Sequence, residues 1–458
     1  MNIRPNSLDA RDIANVLHPY TNAVAHEASG PMIVERGEGI YVFDQDGKRY
    51  IEGLGGLFCT SLGFSEPRLV DAAHRQLKQL PFYHSFGGKS HPTAIELAER
   101  LVAIAPVPMS KVFFANSGSE ANDTALKMVW YYHNAIGKPH KKKIISRVRA
   151  YHGVTVASAS LTGLANNHRD FDLPIDRILH TACPLHYRYA NPAEDEEAFA
   201  TRCALELEQL ILREGPDTVA AFFAEPLMAS GGCIVPPDTY YAKIQSVLRK
   251  YDILLIADEV ICGFGRTGNM FGCETFGLEP DIVTMAKQMS SGYQPIAAVM
   301  INEKLYEAIR NLSGTIGVFS HGFTYGGHPV ATAVALETLK IYEERDIVGH
   351  VRGHMGEFQA KLRSLGEHPL VGDARGSGLI GALELVKDKA SKESFDPSWN
   401  VAAHVGASAL KRGLITRALG DTVNFCPPLI ISEAEIAEMF RLAELALDDT
   451  LAWLQAGR

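Results

Sequence analysis

Between residues 111 and 300 the chain returns repeatedly to short runs of apolar residues with no polar alternation, at 111–114, 143–146, 219–224, 253–257, 282–284 and 296–300. A strand with one wet face alternates apolar and polar residues. A strand apolar at every position is covered on both faces. The segments between most of these runs are long enough for helices, so the pattern predicts an α/β fold with a large, mostly parallel sheet. Helical spacing at 67–79 and 92–103 precedes it. After residue 328 the pattern changes. Helical stretches at 329–345, 350–365, 399–412 and 433–455 mix with short strands near 378–385 and 414–415, which predicts a second, smaller α+β domain. Upstream, strand-like residues 40–43 and 49–51 flank Asp44-Gln45-Asp46-Gly47, a hairpin turn. Its aspartates suggest a calcium loop only until the later ligands and closing glutamate prove missing. The expected division is 1–64 as an N-terminal segment contributing to the small domain, 65–328 as the large domain and 329–458 as the C-terminal small domain. No internal repeat or low-complexity segment interrupts it.

The chain's 458 residues leave room for two or three domains of about 150 residues and for a core that needs neither disulfides nor metal. Apolar residues at 46% and charged residues at 21% are the balance of a soluble globular protein. A formal net charge of −9 argues against nucleic acid and anionic membranes as partners, while leaving room for a local basic pocket. The basic run at 138–143 reads as a solvated turn. No apolar run approaches the ~18 residues of a membrane span. The first 20 residues carry Arg4, Asp9, Arg11 and Asp12 without an apolar stretch, unlike a secretory signal. The seven cysteines (59, 183, 203, 233, 262, 273 and 426) are odd in number and form no C-x-x-C pair, so a reducing cytoplasm is expected.

Candidate chemistry gathers at strand ends. In a parallel sheet, ligands bind at the carboxyl ends of the strands. The run 253–257 ends in Asp258-Glu259, and 282–284 leads through Met285-Ala286 to Lys287. Alone, Lys287 would read as a surface lysine and Asp258 as a helix cap. The run 111–114 leads into Ala115-Asn116-Ser117-Gly118-Ser119-Glu120 and then a helix with Ala121, Ala125, Met128 and Tyr132 on one face. The N–H groups at such a helix start can hold a phosphate, with Ser117 and Ser119 adding hydroxyls. The competing reading is an ordinary cap. Tyr151-His152-Gly153 follows the run 143–146, placing an aromatic ring where it could stack on a flat ligand. Glu225 ends the run 219–224. No G-x-G-x-x-G or G-x-x-x-x-G-K-[ST] is present, which disfavours nicotinamide and nucleoside triphosphate chemistry. Each element is weak alone. A phosphate cradle, a stacking aromatic, a carboxylate and an imine-forming lysine at the ends of one sheet are together what pyridoxal 5′-phosphate requires.

With these residues in view, the chain resembles the class III (omega) aminotransferases of fold type I, and most closely the amine:pyruvate subgroup. The resemblance runs through nearly the whole chain. It is carried by Asn116-Ser117-Gly118-Ser119-Glu120-Ala121-Asn122, Tyr151-His152-Gly153, Ile256-Ala257-Asp258-Glu259-Val260, Ala286-Lys287 and His321-Gly322-Phe323-Thr324-Tyr325-Gly326-Gly327-His328-Pro329. It implies a seven-stranded, mostly parallel sheet domain beside a smaller α+β domain. Lys287 and Asp258 would be catalytic: Lys287 bonds the cofactor and shuttles the proton, and Asp258 pairs with the pyridinium nitrogen. The cofactor set would be Ser117, Gly118, Ser119, Tyr151, His152, Glu225, Val260, Phe323 and Thr324, with Thr324 reaching the partner subunit's site in a homodimer or tetramer. Arg417 would clamp a substrate carboxylate. Phe58 falls where many relatives carry tryptophan, and Tyr83 and Phe86 are expected to complete that wall, with Tyr151 also facing substrate. Gln288 after the lysine is a departure from the family pattern.

The expected reaction moves an amino group from a primary amine or ω-amino acid to a keto acid, pyruvate first, in two half-reactions. A pyridoxal-phosphate aminomutase or decarboxylase of the same fold is the alternative.

Overall fold

The computed structural model describes residues 4–457. The N-terminal hairpin is part of a larger unit. Strands β1 (Val34–Glu38), β2 (Tyr41–Asp44) and β3 (Arg49–Glu52) form an antiparallel meander. The Asp44 carboxylate accepts the backbone N–H groups of Asp46 and Lys48, so these aspartates close a turn.

The large sheet holds β4 (Lys111–Ala115), β5 (Lys143–Arg147), β6 (Ile178–Thr181), β7 (Val219–Ala224), β8 (Leu254–Asp258), β9 (Ile282–Met285) and β10 (Ala297–Ile301), in the order β4-β10-β9-β8-β7-β5-β6. Only β10 runs against its neighbours. This is the expected seven-stranded, mostly parallel sheet of an α/β fold. β6 escaped the apolar-run reading because it lies at the sheet edge, and its central Leu179 and His180 are only half-buried.

The central strands explain the unbroken apolar runs. Phe222 and Phe223 point to opposite faces, and both are 0% exposed. Each such ring contributes about 2–3 kcal/mol of burial. Phe223 packs with Ala121, Ala125 and Val129 of the helix Gly118–Ala135, while Phe222 joins a core shared with residues 329–447.

After the helix Pro329–Glu344 the chain forms a third sheet. It contains β11 (Val371–Ser377) and β12 (Ile380–Leu385), followed after the two-residue β13 (Leu414–Ile415) by β14 (Arg417–Leu419) and β15 (Thr422–Phe425). Its order is β11-β12-β15-β14. The expected strand near 378–385 is a hairpin of β11 and β12. β11 was hidden because Gly372, Asp373, Arg375 and Gly376 break any apolar pattern. β13 leaves this sheet and pairs in parallel with β3, register Leu414↔Ile51. That pairing brings the turn after β3 beside residues 415–419, although they are far apart in sequence.

Candidate active site

The parallel register places three acids and bases side by side. β7 and β8 align Ala224 with Ala257, so Glu225 and Asp258 emerge together. β8 and β9 align Asp258 with Thr284, three residues before Lys287. A cavity of about 170 Å³ opens beyond these ends. Asp258, Glu225 and Lys287 line it with Gly118, Ser119, Tyr151, His152 and Val260.

Asp258 is 3% exposed and firmly held. Its Oδ2 lies 2.7 Å from Asn122 Nδ2 and 2.8 Å from His152 Nδ1, and its Oδ1 accepts the Val260 N–H at 3.0 Å. The Thr284 hydroxyl donates to Asn122 Oδ1 at 2.8 Å, which orients the amide so that Nδ2 faces Asp258 and the His152 carbonyl. Asn122 closes the 116–122 motif but had no role of its own in the sequence, and Thr284 had none either. Both look like ordinary helix and strand positions, and their role arises from packing the helix Gly118–Ala135 across β8 and β9.

Lys287 sits at φ +47°, a left-handed conformation that costs a non-glycine residue of order 1–3 kcal/mol. Burial pushes its amine below the usual lysine range, opposed by Cys59, Asp258 and Glu225. Burial also pushes the Glu225 carboxyl up to about 7, while its Oε1 accepts the Tyr151 N–H at 2.9 Å. The departure at Gln288 is structural: its amide donates to the carbonyls of Ile261 and Gly263 and accepts from Arg266, all buried.

The start of the helix Gly118–Ala135 forms the opposite wall. The Ser117 hydroxyl accepts the Glu120 N–H at 3.2 Å and serves as the cap, so it does not line the cavity. Ser119 does, and its Oγ accepts the Val154 N–H at 3.1 Å. Gly118 meets Val260 closely: a Cβ there would lie 3.1 Å from both valine methyls. The close approach of the helix start and the β8 end therefore favours glycine, because a Cβ would press Val260 aside.

The outer wall comes from elsewhere. Phe58 is buried, with its ring centre 5.5 Å from Lys287 Nζ. It ends a turn in which Gly55, Gly56, Leu57 and Phe58 all have positive φ. Gly55 is confined by Cys426 O, 2.9 Å from where its Cβ would be. Arg417, Leu419 and Tyr20 complete this side. Tyr20 was missed in the sequence, having no motif and lying in the N-terminal segment. Its hydroxyl bonds to that of Tyr151 and accepts from Asn167 Nδ2 at 2.6 Å. The Arg417 guanidinium stands 5.9 Å from its ring centre.

Besides Ser117, four expected residues do not reach this cavity within one chain. Phe86 and Phe323 line a separate groove of about 1210 Å³ with Phe113 and His321. Tyr83 stacks on His84, and Thr324 is exposed. The expectation that Tyr83 and Phe86 complete the Phe58 wall is thus not met by this chain alone, because the Phe86 ring packs against Gly322. Leu57 and Tyr20 stand beside Phe58 instead.

Residues 23–447 match the family model for aminotransferase class-III. The chain belongs to the class III aminotransferases. A γ-aminobutyrate transaminase from Solanum lycopersicum is 50% identical over 437 residues, covering 95% of this chain and 85% of the relative. A vanillin aminotransferase from Capsicum chinense is also 50% identical, covering 95% of each chain. The omega transaminase from Pseudomonas jessenii, solved in complex with PMP, superposes with a TM-score of 0.97 at 58% identity, over 99% of this chain and 100% of that one. This class III aminotransferase is a pyridoxal-phosphate-dependent enzyme that transfers amino groups. The donor set fits the cofactor: a buried carboxylate, a lysine, Val260 and the 151–153 turn, and a helix start beginning at Gly118 all face one cavity.

Proposed function

We propose that this aminotransferase takes amino groups from primary amines or ω-amino acids and passes them to a keto acid, pyruvate first. The observation that carries the residue assignment is Asp258 and Lys287 at the ends of neighbouring parallel strands, facing one cavity. Bound pyridoxal phosphate supplies a carbonyl carbon that exchanges amino groups and a ring that withdraws electrons from the carbon beside the nitrogen. Asp258, fixed by three donors, pairs with the ring nitrogen and keeps it protonated. The N–H groups at Gly118 and Ser119, with the helix dipole, hold the phosphate. Tyr151 and Val260, which line the same cavity, would flank the ring.

Lys287 does the proton work. Its lowered basicity favours the neutral amine, the form that would bond the cofactor and, once an incoming amine had displaced it, could accept the proton from that amine's carbon. The same amine would be placed to hand that proton back on the cofactor side. Arg417 offers a planar fork for the keto-acid carboxylate at the cavity mouth. When an apolar amine enters, the Tyr20 ring offers the guanidinium an alternative partner.

Thr324, Tyr83 and Phe86 support a homodimer, or a tetramer built from it. All three are exposed, and Phe86 lines a groove of about 1210 Å³ together with the exposed Val318. Seven unpaired cysteines support a reducing compartment such as the cytoplasm.

The test is a panel of amine donors with pyruvate, read as alanine formed. Stoichiometric alanine with a primary amine or ω-amino acid supports the proposal. Turnover with another keto acid but none with pyruvate would overturn the acceptor.

A further inference from the structure

Asp12, His18 and His26 bring three donor atoms to one point at the protein surface. His18 Nε2 lies 2.8 Å and His26 Nε2 3.0 Å from the same carboxylate oxygen, Asp12 Oδ1. All three atoms fall within 4.8 Å of one another, and the two imidazole centroids are 4.4 Å apart. An ordinary surface His–Asp pair needs one imidazole. Here two, from different parts of the chain, share one oxygen. Asp12 belongs to the helix Leu8–Asn15 and His26 to the helix Ala23–Ser29, with His18 in the link.

A second observation concerns what holds this segment together. Neither helix has a buried residue. Two short helices without a core of their own need another staple. The link between them carries Tyr20, whose hydroxyl reaches Tyr151 and Asn167 at the mouth of the active-site cavity.

We propose that Asp12, His18 and His26 bind one divalent transition-metal ion of the zinc, copper or nickel class, which pins the Tyr20 segment over the cavity. Two imidazoles and one carboxylate suit such ions better than magnesium or calcium, which prefer all-oxygen sets. Bonds of about 2.0–2.1 Å at tetrahedral angles require ligand separations of about 3.3–3.4 Å. The oxygen–nitrogen distances of 2.8 and 3.0 Å need open by about 0.3–0.6 Å. A shallow depression of about 290 Å³, lined by His18, His26, Thr21 and Glu27, leaves the fourth position to water.

The test uses the pyridoxal-phosphate-loaded enzyme without an affinity tag. Zinc chloride is titrated calorimetrically, and cupric chloride is followed by electron paramagnetic resonance. One ion per chain is expected, with two-nitrogen splitting of the copper signal. His18→Ala and His26→Ala should each weaken binding more than the roughly 10–100-fold that loss of an outer-shell partner costs. Asp12→Asn keeps the side-chain shape and should also weaken binding, which guards against misfolding of the alanine variants. Affinity unchanged in all three variants, or a copper signal without nitrogen splitting, overturns the site. Zinc should slow amide hydrogen exchange across residues 8–29 in the wild type and not in His26→Ala. Exchange unaffected by bound zinc overturns the pinning.

Discussion

Asp258 and Tyr20 line the same cavity, yet the chain holds them in different ways. Asp258 is 3% exposed, ends a central strand and is fixed by Asn122, His152 and the Val260 N–H. Tyr20 is 65% exposed, lies on a link between two coreless helices and is held by hydroxyl contacts. The inner half of the cavity is over-determined by buried packing, so its geometry tolerates little change. The outer half is assembled from the N-terminal segment, the 55–58 turn and β14, joined through the β3–β13 pairing. Chemistry that is common to every substrate belongs in the first. Substrate choice belongs in the second, where a wall can change without disturbing the sheet.

Breaking the inner half should have the largest effects. Lys287→Ala should remove the covalent and proton-transfer roles together and lower kcat by about 10⁴-fold or more, with the protein still folded and binding cofactor. Single-turnover absorbance with an amine donor checks this, and normal transamination by the variant would refute the assignment of Lys287. Asp258→Asn keeps the shape but not the charge and should lower kcat by roughly 10³-fold, comparable to losing a preorganised electrostatic partner. If kcat is unchanged while cofactor affinity falls, Asp258 is only an anchor.

The next test bears on how the outer wall is anchored. Glu52 is 8% exposed and accepts the Leu54 N–H at the base of the 55–58 turn. Burial raises its carboxyl from the ordinary 4.5 to about 7. The folded state therefore binds that proton more tightly than the unfolded state. The resulting stability is fully present below about pH 4.5 and is lost as pH rises through about 7. Glu52→Gln should match the wild type in stability near pH 4.5 and exceed it at pH 8 by up to roughly 3 kcal/mol. Denaturant unfolding at the two pH values measures it, and parallel curves for the two proteins would contradict the burial argument.

Outer-wall side chains should have smaller, substrate-dependent effects. Arg417→Ala should raise KM for pyruvate by about 10–30-fold, the worth of charge-assisted hydrogen bonds to a carboxylate, while leaving KM for an apolar amine nearly unchanged. An equal rise for both substrates would place Arg417 outside carboxylate recognition. Tyr20→Phe removes only the hydroxyl contacts and should change KM for a bulky amine by a few-fold, with kcat preserved, since one hydrogen bond contributes about 1 kcal/mol. A large fall in kcat would move Tyr20 into the inner half.

The sequence by itself determined the sheet and its ends. Unbroken apolar runs at 219–224 and 253–257, short and set between helical stretches, read as strands covered on both faces, and the residues following parallel strands lie along one edge. Asp258, Lys287, Glu225, Ser119 and Tyr151 were legible for that reason, and the class III resemblance assigned them roles. The tertiary structure decided what depends on contacts between distant segments. Asn122 and Thr284 acquire a purpose only when a helix crosses two strands and their side chains meet. Tyr20 reaches Tyr151 from an N-terminal segment without a pattern of its own. Tyr83 and Phe86 carry the right side chains, but their loop packs against residue 322, away from Phe58. Periodicity records which face of an element is buried, and only folding decides which surfaces are brought together there.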